Sequence, residues 1–179
     1  YAKCVLFDYS YKLFYADGYG KEFSILNMKA EDYGVADNDR KYFLASLLSF
    51  YQQLYLFTKN QEKLTAYNLH KPLWVFVGNT VNAENSDILA VVEQLAYFLD
   101  GKNRTQILAW LNDLLCDEPL LLDSKGNAIF RHRFSPLANF KGDLNALYSD
   151  ILKTLFNTES ASHLYLHNIK KASGEVALK

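Results

Sequence analysis

The chain has 179 residues, of which 50% are hydrophobic, 15% are aromatic and only three are proline. This composition excludes an intrinsically disordered chain, which would be poor in apolar side chains. Nineteen basic and twenty acidic residues give a net charge of -1, so no overall positive field draws the chain to nucleic acid or to an acidic membrane surface.

The N-terminal part is predicted to contain two short strands and a short helix. Residues 5–7 form a β-type run, and the aromatic stretch 9–15 is predicted to be a helix that ends at Asp17-Gly18, a dipeptide typical of helix ends and turns. Residues 23–28 (FSILNM) are a second strand candidate. The stretch 31–39 carries four acidic residues and no basic one, which predicts a surface loop or linker.

A long helix is predicted over residues 40–59. Leucine and tyrosine recur there at helical spacing, and three phenylalanines add a second apolar edge, so this helix should be covered on two sides. Residues 72–77 (PLWVFV) then form a continuous apolar run closed by Gly78. Such a run is typical of a central parallel strand.

The next helix is predicted to begin at Ser86 as N-cap and to end before Gly101. The strand at 72–77, a loop and this capped helix make an α/β unit. A further helix begins at Asn103, with Gln106 completing a variant capping box.

Three elements complete the predicted order. Residues 120–130 are predicted to form a small hairpin, 144–155 a helix and 164–169 a final strand. The longest uncharged run, 42–58, is shorter than the roughly 20 apolar residues of a bilayer span, so we expect no membrane segment. The two cysteines, Cys4 and Cys116, fit a reducing cytoplasm better than a disulfide.

The sequence lacks the usual motifs of a complete enzyme. It has no G-x-x-x-x-G-K-[ST] phosphate loop and no G-x-S-x-G elbow, and neither cysteine has a reactive setting. Asp117-Glu118 looks like the acidic pair that holds magnesium in nucleotide-driven motors, but it follows a helix and precedes a proline. We therefore expect no complete active site in this chain.

Two polar clusters have a structural and a functional interpretation. His163, Tyr165 and His167 would share one face of a strand, but no third metal ligand lies near them in sequence, so the structural role is favoured. Residues 131–133 (RHR) could meet a phosphate, although a solvated loop is the favoured interpretation.

One stretch has a physical reason to bind a ligand. It runs from Gly78-Asn79-Thr80, at the end of the predicted strand, to the predicted helix start at Ser86. In open α/β sheets, ligands bind beyond the carboxyl ends of the strands, and free N–H groups at a helix start favour an anion. A phosphate could bind there. An ordinary loop between strand and helix is the alternative, which we favour on the residues alone.

Three runs resemble a known enzyme family. They are CVLFDYSYKLFYADGYGKEFSILNM (4–28), KPLWVFVGNTVN (71–82) and SDILAVVEQLAYFL (86–99). Together they resemble the restriction (Res) subunit of type III restriction enzymes, a DEAD/DEAH-box-like superfamily 2 helicase. The PLWVFVG strand would then resemble helicase motif IV, which opens the second RecA-like motor domain, and residues 164–178 would resemble the segment before motif V.

The resemblance implies an α/β fold with a partial RecA-like parallel sheet and flanking helices. Residues 1–30 would end the first motor domain, 31–70 would be an acidic loop and linking helix, and 71–179 would begin the second motor domain with a helical insertion at 103–162. The chain would be an internal fragment with two cut ends. It would lack the phosphate loop, the acidic magnesium box and the arginine-finger motif.

The implied function is that of a fragment of an ATP-dependent DNA helicase or translocase in a type III restriction-modification system. The motif IV contact to the nucleic-acid backbone would fall on Gly78, Asn79 and Thr80, and we add Ser86 from the helix-start argument. ATP and Mg²⁺ would be cofactors of the enzymatic parent and not of this fragment. The implied partners are DNA, held without base specificity, and a methyltransferase (modification) subunit.

The alternative is a stand-alone α/β protein-interaction or scaffold domain without catalytic activity. Thirteen tyrosines and twelve phenylalanines allow an exposed aromatic patch, and tyrosine is enriched in protein interfaces. A packed core would account for most of these rings.

Overall fold

A computed structural model of the chain describes residues 7–19, 24–78, 87–168 and 176–178. Within these ranges the chain forms six α-helices, three short 3-10 helices and one pair of strands. The helices are α1 (Tyr11–Ala16), α2 (Ala36–Lys59), α3 (Gln61–Thr65), α4 (Asp87–Leu99), α5 (Arg104–Leu115) and α6 (Leu144–Phe156), and the strands are β1 (Leu166–Asn168) and β2 (Val176–Leu178).

The predicted parallel RecA-like sheet is wrong for the part of the chain that the structure describes. The two strands found there, β1 and β2, pair antiparallel, with Leu166 opposite Leu178. Residues 72–77 join no sheet, and residues 24–28 form no strand. An apolar run also suits a segment that packs on a helix, so the run by itself did not specify a neighbouring strand.

Helix α2 is the centre of the fold and packs against α4, α5 and α6. Leu47, Leu48 and Tyr51 on this helix are fully buried, as the leucine and tyrosine spacing predicts. The helix begins at Ala36 and not at residue 40, so part of the predicted acidic loop is helical. Acidic side chains in a first turn stabilise a helix through its dipole, which accounts for this early start.

The core combines side chains from α2, α4, α5, α6 and the segments between them. Its fully buried large side chains are Tyr51, Tyr148, Leu47, Leu48, Ile107, Leu111, Leu114, Leu137, Leu147, Ile151 and Leu152. Met28 also belongs to this core, so residues from each of the three predicted parts of the chain contribute to it. The division into those three parts stays a prediction.

The helix boundaries in the second half follow the predicted stripes closely. Helix α4 ends at Leu99 as predicted, although Ile88 in its first turn is exposed. The predicted capping box at α5 is wrong, because Asn103 makes no side-chain cap and its Nδ2 donates to the carbonyl of Tyr97 at 3.0 Å. Helix α6 has a side-chain cap, since Asp143 Oδ1 accepts from Ala146 N at 2.9 Å.

Two predicted turns are present. Helix α1 ends at Ala16 with Asp17 as its C-cap, and Gly18 follows with a φ of +83°, a left-handed value that favours glycine. The predicted hairpin at 120–130 is a tight turn with a single antiparallel bridge between Leu122 and Ala128. Among the helices that the structure describes, none is long and apolar enough to cross a lipid bilayer.

Candidate functional site

Residues 71–78, which we call the open segment, lie along α2 through two aromatic side chains. The ring centroids of Trp74 and Phe76 are 4.4 Å apart, and both rings contact Phe43, at 5.5 and 6.2 Å. Trp74 also contacts Phe50 at 5.5 Å. Residues two positions apart share a side only in an extended chain, so the open segment has strand-like geometry.

The opposite face of the open segment has no cover in the described structure. Leu73, Val75 and Val77 alternate with Trp74 and Phe76 and are 82%, 64% and 91% exposed, while Phe76, which packs on Phe43 and Trp74, is still 45% exposed. The backbone of the segment forms no hydrogen bond with any other described residue. A strand with open edges and exposed apolar side chains is a template for pairing with another strand.

A groove of about 380 Å³ lies beside the inward face of the open segment. Its lining includes Tyr42, Phe43, Trp74, Phe76 and Val91. The Tyr42 hydroxyl donates to the Leu26 carbonyl at 2.7 Å and so serves the fold. The groove is therefore mainly apolar.

Of the four residues predicted to contact nucleic acid, the structure describes Gly78 alone. Asn79, Thr80 and Ser86 lie outside the described residues. A Cβ atom added to Gly78 would lie 3.0 Å from Cβ and 3.2 Å from Oδ2 of Asp87, the first residue of α4. The end of the open segment and the start of α4 therefore meet.

Asp87 contributes a negative charge at this meeting point. A carboxylate in the first turn is stabilised by the helix dipole, and Asp87 holds that position in α4. A phosphate beside it would be repelled by the same carboxylate. An anion contact here therefore has to offset the repulsion from this carboxylate.

Asp117 and His132 form a pair that sequence reasoning missed. The Asp117 carboxylate accepts from His132 N at 2.6 Å and lies 2.9 Å from His132 Nδ1. These contacts lower the pKa of Asp117, the backbone hydrogen bond most strongly and the side-chain one next. Both residues have left-handed φ values, +62° and +59°, which no hydrophobic pattern could have indicated.

The remaining polar residues singled out from the sequence do not form a common site in the described structure. Asp117, of the acidic pair for which no magnesium role was expected, accepts hydrogen bonds from His132, and Arg133 of the basic cluster donates from Nε to the Ile129 carbonyl at 3.2 Å. His163 is exposed, while the side chain of His167 lies outside the described part. In that part, no group of three or more histidine, cysteine, aspartate or glutamate side chains is arranged to hold a metal ion.

No protein-family model, curated protein or solved structure matches this chain. The resemblance to type III restriction subunits is therefore carried by the three sequence runs alone.

Proposed function

We propose that this chain contributes a DNA-backbone contact to an ATP-driven DNA translocase of a restriction system. The contact is made by Gly78, Asn79, Thr80 and Ser86, between the open segment and α4. ATP, Mg²⁺ and the methyltransferase subunit belong to the parent enzyme. The three runs that resemble the restriction subunit support this proposal.

The observation that carries the proposal is that the open segment lacks a packing partner on one face among the described residues. Its apolar face is exposed and its backbone is unpaired within the described structure, while its last residue touches the first residue of α4. In the chain, residues 79–86 connect this extended segment to α4, and Asn79, Thr80 and Ser86 belong to that stretch. An exposed apolar segment of this kind suits a surface that another part of a larger assembly covers.

DNA binding by the chain alone should be weak. Its net charge is -1, and Asp87 adds a local negative charge beside Gly78. Few phosphates would be neutralised, and the counterions that they release set the salt dependence of binding. The expected affinity for single-stranded DNA is therefore low and falls as salt increases.

Fluorescence anisotropy with labelled single-stranded DNA tests this contact. Thr80→Glu adds a negative charge at the proposed site and should weaken binding several-fold at low salt. Thr58→Glu makes the same chemical change on the exposed surface of α2 and should leave binding nearly unchanged. Titrations that coincide at low and high salt, or equal losses in the two variants, would contradict the proposal.

The parent gene product provides a second test. The full-length protein should hydrolyse ATP faster when DNA is added, and Thr80→Glu should reduce this stimulation more than the rate without DNA. A parent chain without a phosphate-binding loop would also contradict the proposal.

A protein-interaction domain is the second candidate function, and the aromatic segment 7–19 favours it. Phe7 and Tyr19 are 80% and 71% exposed, and the rings of this segment contact one another, as Phe14 does with Tyr19 at a centroid distance of 5.7 Å. Light scattering on Phe7→Ser and Tyr19→Ser variants tests this role. A mass identical to that of the unaltered chain would count against an interface at this segment.

A further inference from the structure

We propose that a groove at the C-terminal end of α2 binds a small apolar carboxylate, of the class of a short-chain or medium-chain fatty acid. The groove lies between the end of α2, α3 and residues 69–72. This inference is independent of the DNA contact proposed above, because it concerns other residues.

The lining of the groove is mostly apolar and its volume suits a small molecule. The volume is about 450 Å³, and ligand pockets have roughly 300–1,000 Å³. The apolar lining consists of Leu56 and Phe57 from α2, Leu64 from α3, and Leu69 and Pro72 from the chain that follows. An aliphatic chain placed against these side chains is stabilised in proportion to the apolar area that is removed from water.

Hydrogen bonds hold the walls of this groove in place. Leu69 N donates to the Leu64 carbonyl at 3.2 Å, which folds the chain after α3 back onto that helix. Asn60 Nδ2 donates to the Leu56 carbonyl at 2.8 Å, so the Asn60 side chain serves the end of α2. The groove therefore exists without a ligand, and a preformed site lowers the ordering cost of binding.

Charge makes an anion the complementary ligand. Lys63 and His70 line the groove, and neither side chain makes an ion pair or a hydrogen bond with another described residue. Residues 54–78 carry three lysines and a single acidic residue, Glu62, although the net charge of the chain is -1. Glu62 is not part of the described lining. A carboxylate in the groove would form charge-assisted hydrogen bonds with the free cationic side chain of Lys63.

The size of the groove favours a small molecule over a protein partner. A standard protein interface involves about 20–30 residues on each side, whereas nine described residues line this groove. A simple anion such as phosphate would meet the charge of Lys63 and leave the apolar lining unused. A carboxylate with an aliphatic chain uses both parts of the lining.

Isothermal titration calorimetry with octanoate and with 1-octanol tests the proposal. The two molecules have the same chain length, and only octanoate is charged at neutral pH. Octanoate should bind about threefold to fivefold more tightly, which is the contribution of one solvent-exposed ion pair. Inorganic phosphate at equal concentration should not displace octanoate. Equal affinities for octanoate and octanol, displacement by phosphate, or the lack of any octanoate binding would overturn the proposal.

A charge variant with a matched control tests the role of Lys63. Lys63→Gln should lower the affinity for octanoate about threefold to fivefold and leave the affinity for octanol unchanged. Lys125→Gln makes the same chemical change at an exposed turn outside the groove and should alter neither affinity. Equal decreases in the two variants would reject the assigned contact.

A second pair of variants tests the apolar lining. Leu64→Ala should lower the affinity for octanoate and for octanol by about the same factor, because both lose the same apolar contact. Leu73→Ala, at a side chain that is 82% exposed and outside the groove, should change neither affinity. Circular dichroism with unchanged helix content verifies the fold of each variant. A Leu64→Ala variant that binds both ligands like the unaltered chain would show that they bind elsewhere.

Discussion

The Tyr51 hydroxyl donates a hydrogen bond to the Asp150 carboxylate, with 2.5 Å between Oη and Oδ2, and so joins α2 to α6. Tyr51 is fully buried, whereas Asp150 is partly exposed. Burial raises the pKa of Tyr51 far above its usual value, and the hydrogen bond to Asp150 adds to this effect. The neutral phenol is therefore the form that the folded protein requires.

Replacing Tyr51 with phenylalanine tests the contribution of this bond. Hydrogen bonds to a charged group contribute about 1.5–3 kcal/mol, so we expect Tyr51→Phe to lower the free energy of unfolding by about 2 kcal/mol. Urea denaturation measures the change. Tyr55→Phe removes a hydroxyl whose contacts with Asn139 and Lys59 are both exposed to solvent, so it should cost less than about 0.5 kcal/mol. An equal decrease in the free energy of unfolding in both variants would show that the hydrogen bond to Asp150 contributes no more than an exposed contact.

Stability should fall at alkaline pH because three tyrosines are held neutral. The pKa values of Tyr42, Tyr51 and Tyr148 are all raised, in each case mainly by burial. A pKa that is higher in the folded state stabilises the fold below the unfolded value of about 10, and this stabilisation is lost as the pH rises through the folded value. Thermal unfolding should therefore shift to lower temperature above about pH 10. Full ionisation of every tyrosine with helicity retained would contradict this expectation.

The contribution of the Asp143 cap of α6 to stability should be measurable with a single substitution. Asp143 Oδ1 accepts from Ala146 N at 2.9 Å, which satisfies a backbone donor with no partner inside the helix. Asp143→Ala should destabilise the protein by about 1 kcal/mol in urea denaturation. Asp143→Ser keeps a capping oxygen and should recover most of the loss. An alanine variant as stable as the serine variant would rule out a stabilising cap.

The contact between Asp117 and His132 should contribute to the decrease in the free energy of unfolding at acid pH. The pKa of Asp117 is lowered, mainly by the backbone N–H of His132, so its carboxylate stabilises the fold above about pH 4 and this contribution is lost as the pH falls through the folded-state pKa. Asparagine tolerates the left-handed backbone at this position.

Urea midpoints measured across the acid range, about pH 2–5, test this dependence. Asp117→Asn should flatten the decline in stability over this range. Glu118→Gln, at the exposed neighbouring position, should leave the shape of the curve unchanged. A flattening of similar size in both variants would contradict the assigned role of Asp117.

The helices could be predicted from the sequence to a large extent. Stripes at helical spacing predicted α4 and α6 almost to their ends, because burial of one helix face requires that spacing wherever the helix packs. The starts of α5 and α2 differ from the prediction because of local contacts. Asn103 bonds to the carbonyl of Tyr97 instead of capping α5, and α2 begins earlier than its apolar stripe.

The candidate site was predictable only in part. The apolar run at 72–77 predicted a central parallel strand before a helix. The strand prediction is wrong, because these residues join no sheet, but the segment is followed by α4 and its last residue, Gly78, lies against Asp87. The run did not predict that Trp74 and Phe76 pack on α2 while Val75 stays exposed. All of these side chains are apolar, so composition does not distinguish a covered face from an uncovered one.

The sequence by itself therefore determined the extents of α4 and α6 and most of their buried faces, because the periodic spacing of apolar side chains is a local property of the chain. The tertiary structure alone decided that the open segment rests on a helix and that Tyr51 meets Asp150. Both depend on contacts between residues far apart in the chain, and such contacts form only when the helices pack around α2.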